Sequence, residues 1–304
     1  MRRAVVVAAA GLLVAGCGSG NIGGQAGAPK ASNLAFVDTT ATKAAMDGVG
    51  QAAEKAFSYD STKPDEVAKT EQEYLAGAAR TKFDQAFAQV RTSPVTTKTQ
   101  VLESGAAELR PGQAKVLAVV SQHSTTPDGK QNSATAVMLF TAAQQNGHWV
   151  LHDVDFDPHG PLTQADAPGL GKATTRDQVV AAAQRDGQVL LTLDAKNADA
   201  VYDRYQTVAA EPLLTQYRTS RDETLSHMRE SGAKATVDPQ SVAAATEMSP
   251  DGTKATALLG AIVSSQAPGP NGNQQRRLPI KLDLVRQGTN WKVSAIQIVT
   301  APQS

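Results

Sequence analysis

Cysteine is almost absent from this chain of 304 residues, since Cys17 is the single one. One cysteine cannot form an internal disulfide, which excludes the class of small exported domains held by disulfides. Phe, Trp and Tyr together make up only 4% of the residues. The core must therefore be built from Ala, Val and Leu with a few large side chains, and burial alone has to hold the fold.

An excess of charge of either sign is also missing. Lys and Arg number 29, and Asp and Glu number 29, so the formal net charge is zero. The two signs are interspersed, and the chain has no large basic field of the kind that gathers nucleic acid. We therefore expect no nucleic acid partner. The length is sufficient for two domains.

The N-terminal apolar run, Ala4 to Leu13, is too short to cross a bilayer, which takes roughly 20 residues. Arg2 and Arg3 precede it, and Val14-Ala15-Gly16-Cys17 follows it. This order of a short basic region, an apolar region and small residues is typical of a secretory signal peptide. The last four residues resemble the bacterial lipobox, in which small residues precede a cysteine that becomes lipidated.

The lipobox resemblance predicts how the chain is attached. Residues 1–16 are interpreted as the signal peptide and Cys17 as the lipidated first residue, which places an exported protein on the outer face of the cell membrane. Residues 17–32 are rich in Gly and Ser, a composition typical of a flexible tether. An ordinary signal peptide followed by a chance cysteine is the alternative.

The remaining chain repeats itself weakly. Phe57-Ser58-Tyr59-Asp60 aligns with Leu191-Thr192-Leu193-Asp194, and this first offset holds without a gap as far as Phe83, which meets Tyr217. A slightly longer second offset aligns Trp149 with Trp291, and these are the only tryptophans. Each opens the last strand-like run of its half. The shared order of elements indicates two copies of one unit.

Each copy reads as helices followed by strands. Apolar residues recur at helical spacing from Lys43 to Tyr59, and a second helix is predicted from Pro64 to Val90. The second copy repeats this with helices ending near Leu190 and Met228, the first of them capped by Thr174 or Thr175. The predicted strands are 114–120, 134–141, 149–156, 255–264, 278–285 and 291–299. Helices first and an antiparallel meander afterwards predict an α+β fold.

Five short stretches of the first copy carry a family resemblance: Asn33–Thr42, Phe57–Asp60, Leu75–Ala79, Lys82–Asp84 and Gly147–Trp149. Their order resembles that of the mammalian-cell-entry (Mce)-associated proteins of actinobacteria. The resemblance implies the cone of the nuclear transport factor 2-like and cystatin-like folds, in which a curved antiparallel sheet wraps around N-terminal helices. Through the internal repeat, it predicts a first cone at 33–157, a linker at 158–172 and a second cone at 173–304.

The resemblance also implies a function without catalytic residues or cofactors. Proteins of this family are accessories of Mce lipid-import complexes, so we expect partners among Mce complex components. The family usually enters the membrane through a transmembrane helix and carries one cone. This chain departs from that pattern with a lipobox and an apparent second copy, which leaves a specific partner open.

The densest polar cluster is His152, Asp153, Asp155, Asp157 and His159. These residue types suit zinc, but side chains alternate between the two faces of a strand. Simple alternation puts the three aspartates on one face and His152 on the other with Val154 and Phe156. We therefore interpret the cluster as a solvated strand end and predict no metal site. A pocket enzyme that pairs His152 with a carboxylate of another strand is a minor alternative.

A cone encloses an apolar space that is a default site for a small ligand. The candidate lining residues of the two copies are Phe57, Phe83, Phe87, Leu139, Trp149, Leu191, Tyr217, Leu282 and Trp291. Simple core packing is the alternative, and the scarcity of large side chains favours it. The leading hypothesis is a non-enzymatic envelope lipoprotein beside a lipid-import machine, and binding of a lipid or small hydrophobic ligand in one cone is the second.

Overall fold

The first half of the chain folds as three helices followed by an antiparallel meander. The structure, a computed structural model, describes residues 30–90, 94–268 and 272–301. The elements of this half are α1 (Thr39–Ala56), β1 (Tyr59–Asp60), α2 (Pro64–Tyr74), α3 (Gly77–Val90), β2 (Thr96–Arg110), β3 (Gln113–Thr125), β4 (Gln131–Gln145) and β5 (His148–Asp155).

The second half repeats this order with its helices divided further. Its elements are α4 (Lys172–Leu191), β6 (Leu193–Asp194), a 3₁₀ turn (Ala195–Asn197), α5 (Ala198–Val208), α6 (Leu213–Thr219), α7 (Arg221–Ser231), β7 (Lys234–Val237), β8 (Val242–Met248), β9 (Lys254–Gln266), β10 (Asn273–Gln287) and β11 (Asn290–Ile298). The α+β class is therefore confirmed.

Helix α1 begins at Thr39, one turn before the predicted start at Lys43. Asp38 caps it, because the carboxylate accepts a hydrogen bond from the backbone N–H of Ala41 at 2.9 Å. The inward face carries small side chains, among them Ala45 and Ala53. Helix α4 begins after Gly171, so the predicted cap at Thr174 or Thr175 is wrong, and both threonines lie inside the first turn.

Each predicted second helix is broken at an equivalent point. The backbone N–H of Ala76 donates to the carbonyl of Leu151 at 2.8 Å, and that of Ala210 donates to the carbonyl of Val293 at 2.7 Å. The two donors are related by the first offset of the sequence repeat, and the two acceptors are related by the second. The chain leaves the helix at these points because its backbone bonds the outermost strand of the same half.

A single antiparallel sheet runs through the described residues. Its main path has the order β11-β10-β9-β8-β2-β3-β4-β5, with the short strands β1, β6 and β7 beside it. The halves meet at the β2–β8 seam, where Ala106 pairs with Ala245. Both seam strands carry a bulge just beyond the paired residue, between Ala106 and Glu108 and between Ala245 and Glu247. The bulges bend the sheet at this seam.

The sheet buries both of its faces. Helices cover one face over a core that includes Val116, Ala118, Ala257 and Leu259. On the other face the two halves pack against each other through a second cluster. Its members are Ala107, Leu117, Val119, Val137, Val242, Ala244 and Leu258, with Leu102, Leu139, Leu162 and Val299 around them. The open faces of the two half-sheets thus cover each other within one chain.

The close approach of the halves is visible at Gly260 of β9. A Cβ added there would lie 3.0 Å from Cγ1 of Val137 in β4 and 3.0 Å from Cγ2 of Val242 in β8. Two ion pairs also join the halves, Arg277 with Asp157 at 2.6 Å and Lys281 with Glu103 at 2.8 Å. From Ala31 onward the chain forms one compact unit, and its division into two domains at 158–172 stays a prediction.

The sequence pattern missed five of the eleven strands that the structure describes: β1 and β6, which have two residues each, and β2, β7 and β8. Strand β2 alternates exposed and buried residues over only part of its length, and β7 is very short. Strand β8 contains a run of three alanines, a residue type with low strand propensity. The six predicted strands are present, and most extend a few residues further at each end.

The predicted signal peptide, the predicted lipidation site Cys17 and most of the predicted tether lie outside the described residues. Within the described ranges, none of the helices combines the length and apolarity needed to cross a bilayer.

Candidate functional site

Four of the five candidate pocket residues of the first half lie together in its core. The ring centroids of Phe57 and Phe83 are 6.0 Å apart, and those of Phe83 and Phe87 are 5.6 Å apart in a stacked arrangement. Phe140 of β4 approaches Phe57 to 6.2 Å, and all four side chains are buried. The rings come from the end of α1, from α3 and from β4, and they pack against one another inside the half.

Trp149 closes the same core against α1. Helix α1 carries glycine at position 48, where an added Cβ would lie 2.2 Å from Cδ1 of Trp149. Leu139 lies elsewhere. Its neighbour Phe140 faces the helices, so Leu139 points to the opposite face and joins the cluster between the halves. The structure therefore brings together four of the five candidates of the first half.

The second half fills its interior with tyrosines. Tyr202, Tyr205 and Tyr217 form a triangle with ring centroids 5.7 to 5.9 Å apart. The hydroxyl of Tyr202 donates to the carbonyl of Tyr217, and that of Tyr205 donates to the carbonyl of Thr192. Burial raises the pKa of Tyr205 to about 12 and that of Tyr217 to about 12, the latter with a contribution from the neighbouring tyrosines. Of this triangle, sequence reasoning had identified only Tyr217.

The other candidates of the second half belong to the same core as this triangle. Leu282 and Trp291 are buried in the core, and Leu191 packs on it from a partly exposed position. Five grooves with volumes of about 270 to 580 Å³ lie elsewhere, and none is lined by any of the nine candidates. Side chains of the chain itself therefore occupy the space that the cone hypothesis assigns to a ligand.

The polar cluster at the end of β5 is spread out by a bulge. Thr141 pairs with Asp153 and Ala142 with Leu151, so His152 is the extra residue. Leu151 and Val154 both enter the core as a result. The predicted simple alternation is therefore wrong at this point, because it puts these two residues on opposite faces.

Three members of the cluster bind different residues outside it. Asp153 pairs with Lys82 at 2.8 Å, Asp157 with Arg277 at 2.6 Å, and His152 contacts the amide of Gln145 at 2.7 Å. The hydrogen bond from Arg277 lowers the pKa of Asp157. Among the residues that the structure describes, no group of three or more His, Cys, Asp and Glu side chains is arranged to hold a metal.

His152 shares a groove of about 410 Å³ with Glu108 of β2. Glu108 is held by Arg110 at 2.5 Å and by Lys115 at 3.0 Å. Burial raises the pKa of Glu108, but these two cations outweigh it and lower the pKa overall. A carboxylate kept ionised by two cations is a weak proton acceptor, which disfavours acid–base catalysis by this pair.

A buried ionic network holds the first residues that the structure describes. Arg176 of α4 is 2% exposed and pairs with Asp166 at 2.9 Å and with Asp177 at 2.7 Å. Its guanidinium also donates to the carbonyls of Asn33 and Ala35. The sequence contains one signal for this network. Arg176 lies about one helical turn before the apolar Val179, and this spacing puts its charge on the inward face of the helix.

The network reaches Ser32, the last residue of the predicted tether. Ser32 donates to Asp166 through its backbone N–H and through its hydroxyl, both at 2.7 Å. Burial raises the pKa of Asp166, but the bonds from Ser32 and Arg176 outweigh it and lower the pKa to about 2. The residues at 158–172 thus join the chain start to α4 by buried ion pairs.

Two grooves flank the β2–β8 seam. The first, the α1 groove, has a volume of about 570 Å³ and is lined by α1, β2, β8 and Lys281 of β10. The second, the α4 groove, has a volume of about 520 Å³ and lies between α4, β2, β8 and residues 161–165. Both are open to solvent, which makes them candidate surfaces for a partner.

Comparison with known proteins leaves the family unassigned. No protein-family model matches the chain, and no curated protein matches it. The chain is similar to a solved structure of an IcmL-like type IV secretion system protein from Legionella pneumophila, with 15% identity, a TM-score of 0.30, and coverage of 42% of this chain and 96% of that one.

Two further solved structures show a similar degree of likeness. An Ntf2-like protein involved in plasmid conjugation has 8% identity and a TM-score of 0.25, with 84% of this chain and 96% of that one covered. A putative calcium/calmodulin-dependent protein kinase II association domain from Xanthomonas campestris has 19% identity and a TM-score of 0.27, with 41% and 90% covered. These scores are too low to assign a fold family or a function.

Proposed function

We propose that this chain is a non-enzymatic lipoprotein of the cell envelope, with two tandem cones of the nuclear transport factor 2-like kind, that serves as an accessory or scaffold beside an Mce-type lipid-import complex. The observation that carries the proposal is the filled interior of both halves. Phe57, Phe83 and Trp149 on one side, and Tyr205 and Trp291 on the other, pack as core. A protein whose interior is occupied acts through its surface.

Matching features of the two halves support the tandem arrangement. The bulge at His152 of β5, opposite Thr141 and Ala142, recurs at Ser294 of β11, opposite Asp283 and Leu284, at the second offset of the sequence repeat. The hydrogen bonds from the ends of the broken helices to the last strands correspond in the same way. Two copies that cover each other's open sheet face leave that face unavailable for a second chain.

A fixed chain start supports a tethered role. The hydrogen bond from Ser32 to Asp166 and the ion pair of Asp166 with Arg176 hold the first described residues at the junction of the halves. If lipid on Cys17 anchors the protein, the tether would therefore attach to the body at one fixed point, this junction. Two acyl chains are needed for stable anchoring, and the diacylglyceryl cysteine of bacterial lipoproteins has them.

Two measurements test the proposal. Intact mass of the membrane-extracted protein should show a lipid adduct and loss of residues 1–16, and Cys17→Ala should lose the adduct and leave the membrane fraction. Affinity purification of the full chain from detergent-solubilised membranes should retain Mce components, with Cys17→Ala as the matched control for membrane proximity. Purified chain without Mce components would contradict the assigned partner.

The alternative of a lipid-binding cone has less support, because its candidate lining residues form the packed core. Native mass spectrometry of the purified chain would reveal a bound lipid and would favour that alternative instead.

A further inference from the structure

The α1 groove and the α4 groove are equivalent sites in the two halves. Lys43 and Met46 line the first, and their counterparts at the first offset of the repeat, Asp177 and Val180, line the second. The seam strands correspond as well, at a third offset that lies between the other two. Ser104 and Thr246 line the α1 groove, and their counterparts Ala243 and Ala107 line the α4 groove.

The α4 groove shows how an extended segment lies against the helix and seam strands at such a site. Residues 161–165, Pro-Leu-Thr-Gln-Ala, lie along it without helix or strand structure and form one of its walls. The segment is held at both ends, by the N–H of Gly160 bonded to the carbonyl of Gln240 and by Asp166 bonded to Arg176. Leu162 packs against the cluster between the halves.

The α1 groove has a different floor. Lys281 and Glu103 form an ion pair of 2.8 Å there. The counterpart of Lys281 at the second offset is Leu139, and that of Glu103 at the third offset is Val242. Both counterparts are apolar and belong to the cluster that receives Leu162. An apolar residue that fits the α4 groove would therefore meet a charged floor in the α1 groove.

The charge of the α1 groove is predominantly negative. Its ionisable residues are Lys43, Asp47, Glu54, Glu103, Glu247 and Lys281, which are four carboxylates and two lysines. Lys43 already pairs with Asp47 at 3.9 Å, and Lys281 with Glu103. Glu54 and Glu247 belong to neither of these pairs, so their carboxylates give the groove its net negative charge. A positively charged occupant complements it.

We propose that the α1 groove binds an extended, lysine- or arginine-bearing segment of a partner protein, in the way that residues 161–165 lie along the α4 groove. The inference rests on the proposed function in one respect, because the α1 groove is a surface through which an accessory protein would contact its partner. The tether is the competing occupant, but Ser32 is held at Asp166, beside the α4 groove.

Synthetic peptides test the proposal on the full chain in detergent. The basic probe is a fluorescently labelled peptide, Pro-Lys-Thr-Lys-Ala flanked by glycines, in which lysine replaces the leucine and the glutamine of residues 161–165. The acidic probe has glutamate at both lysine positions. Fluorescence anisotropy at low salt should show binding of the basic probe and not of the acidic one. Added salt should weaken the binding, since exposed charges are screened.

Variants locate the binding. Glu247→Lys should weaken the basic probe about fivefold, as expected for reversal of an exposed charge in contact with it. Gly50→Leu should block the probe sterically, because Gly50 lines the groove. The helix has room for the new side chain, since an added Cβ at Gly50 would lie 3.9 Å from Cγ1 of Val101. Glu223→Lys, an equal charge change on the exposed face of α7, is the matched control and should have no effect. Circular dichroism melting identifies any variant that fails to fold.

Each other result overturns the proposal. Equal binding of the two probes, an equal loss in Glu223→Lys and Glu247→Lys, or absence of binding in the unaltered chain would do so. A gain in affinity on Lys30→Glu would identify the tether as the occupant instead. Retention of Mce components by a chain that does not bind the peptide would refute the groove and leave the proposed function standing, and the reverse outcome would refute the Mce partner alone.

Discussion

Two glycines of α1 allow a matched test of how the first core is packed. At position 48 an added Cβ would lie 2.2 Å from Cδ1 and 2.8 Å from Nε1 of Trp149, whereas at position 50 the nearest atom is Cγ1 of Val101 at 3.9 Å. Both glycines lie inside the same helix, so alanine confers the same backbone benefit at each, about 1 kcal/mol of stability.

The two substitutions should therefore have opposite effects. Gly50→Ala should raise the free energy of unfolding by about 1 kcal/mol. Gly48→Ala receives the same benefit but forces Trp149 out of place, and overpacking of a core typically costs about 1–3 kcal/mol. Its net effect should be a loss of about 0–2 kcal/mol, so that the two variants differ by about 1–3 kcal/mol.

Urea unfolding followed by circular dichroism measures both variants on the full chain, and the midpoints are comparable if the slopes agree. A Trp149→Ala background removes the obstacle, and in it Gly48→Ala should become stabilising. Equal stabilisation by both alanines in the unaltered background would refute the close packing of α1 on the last strand of the first half.

Three further predictions concern the other packed regions. Asp166→Asn should lower the free energy of unfolding at pH 7 by about 2 kcal/mol. The difference from the unaltered chain should disappear as the pH falls from about 4 to about 2, because the folded pKa of Asp166 is about 2 and stability is lost as the carboxylate protonates. Urea unfolding across this pH range would show the change, and a constant difference would contradict it. Leu117→Ala should cost about 2–5 kcal/mol, since Leu117 is 0% exposed between the half-sheets, whereas a loss below about 1 kcal/mol would mean that this face is not covered. Absorbance titration should leave Tyr205 and Tyr217 protonated near pH 11, because burial raises the pKa of each to about 12, and ionisation of all tyrosines by pH 11 in the folded chain would contradict the buried triangle.

Some of the candidate site was accessible to sequence reasoning. Large side chains are few, so those that occur, such as Phe57, Phe83 and Trp291, were bound to be core anchors or pocket walls. The choice between these roles depends on whether neighbouring rings fill the space. The ring contacts of Phe83 with Phe57 and Phe87 decide it, and they join residues that the sequence keeps apart.

The error at His152 has a local cause. Alternation assumes a regular strand, and the bulge opposite Thr141 and Ala142 inserts one residue, after which the pattern continues out of phase. The signal was weak, since Trp149, Val150 and Leu151 are all apolar in succession. Such a run does not indicate which face each residue takes.

The sequence by itself determined that helices precede strands in each half, located six of the eleven described strands and indicated the repeat with its two offsets, because these features follow from periodicity and composition along the chain. Only the tertiary structure decided that the half-sheets join at Ala106 and Ala245 and cover each other, and that Arg176 binds the chain start. These contacts join residues that lie far apart along the chain. Their energy comes from burying surfaces that exist only after each half has folded, and no local pattern encodes it.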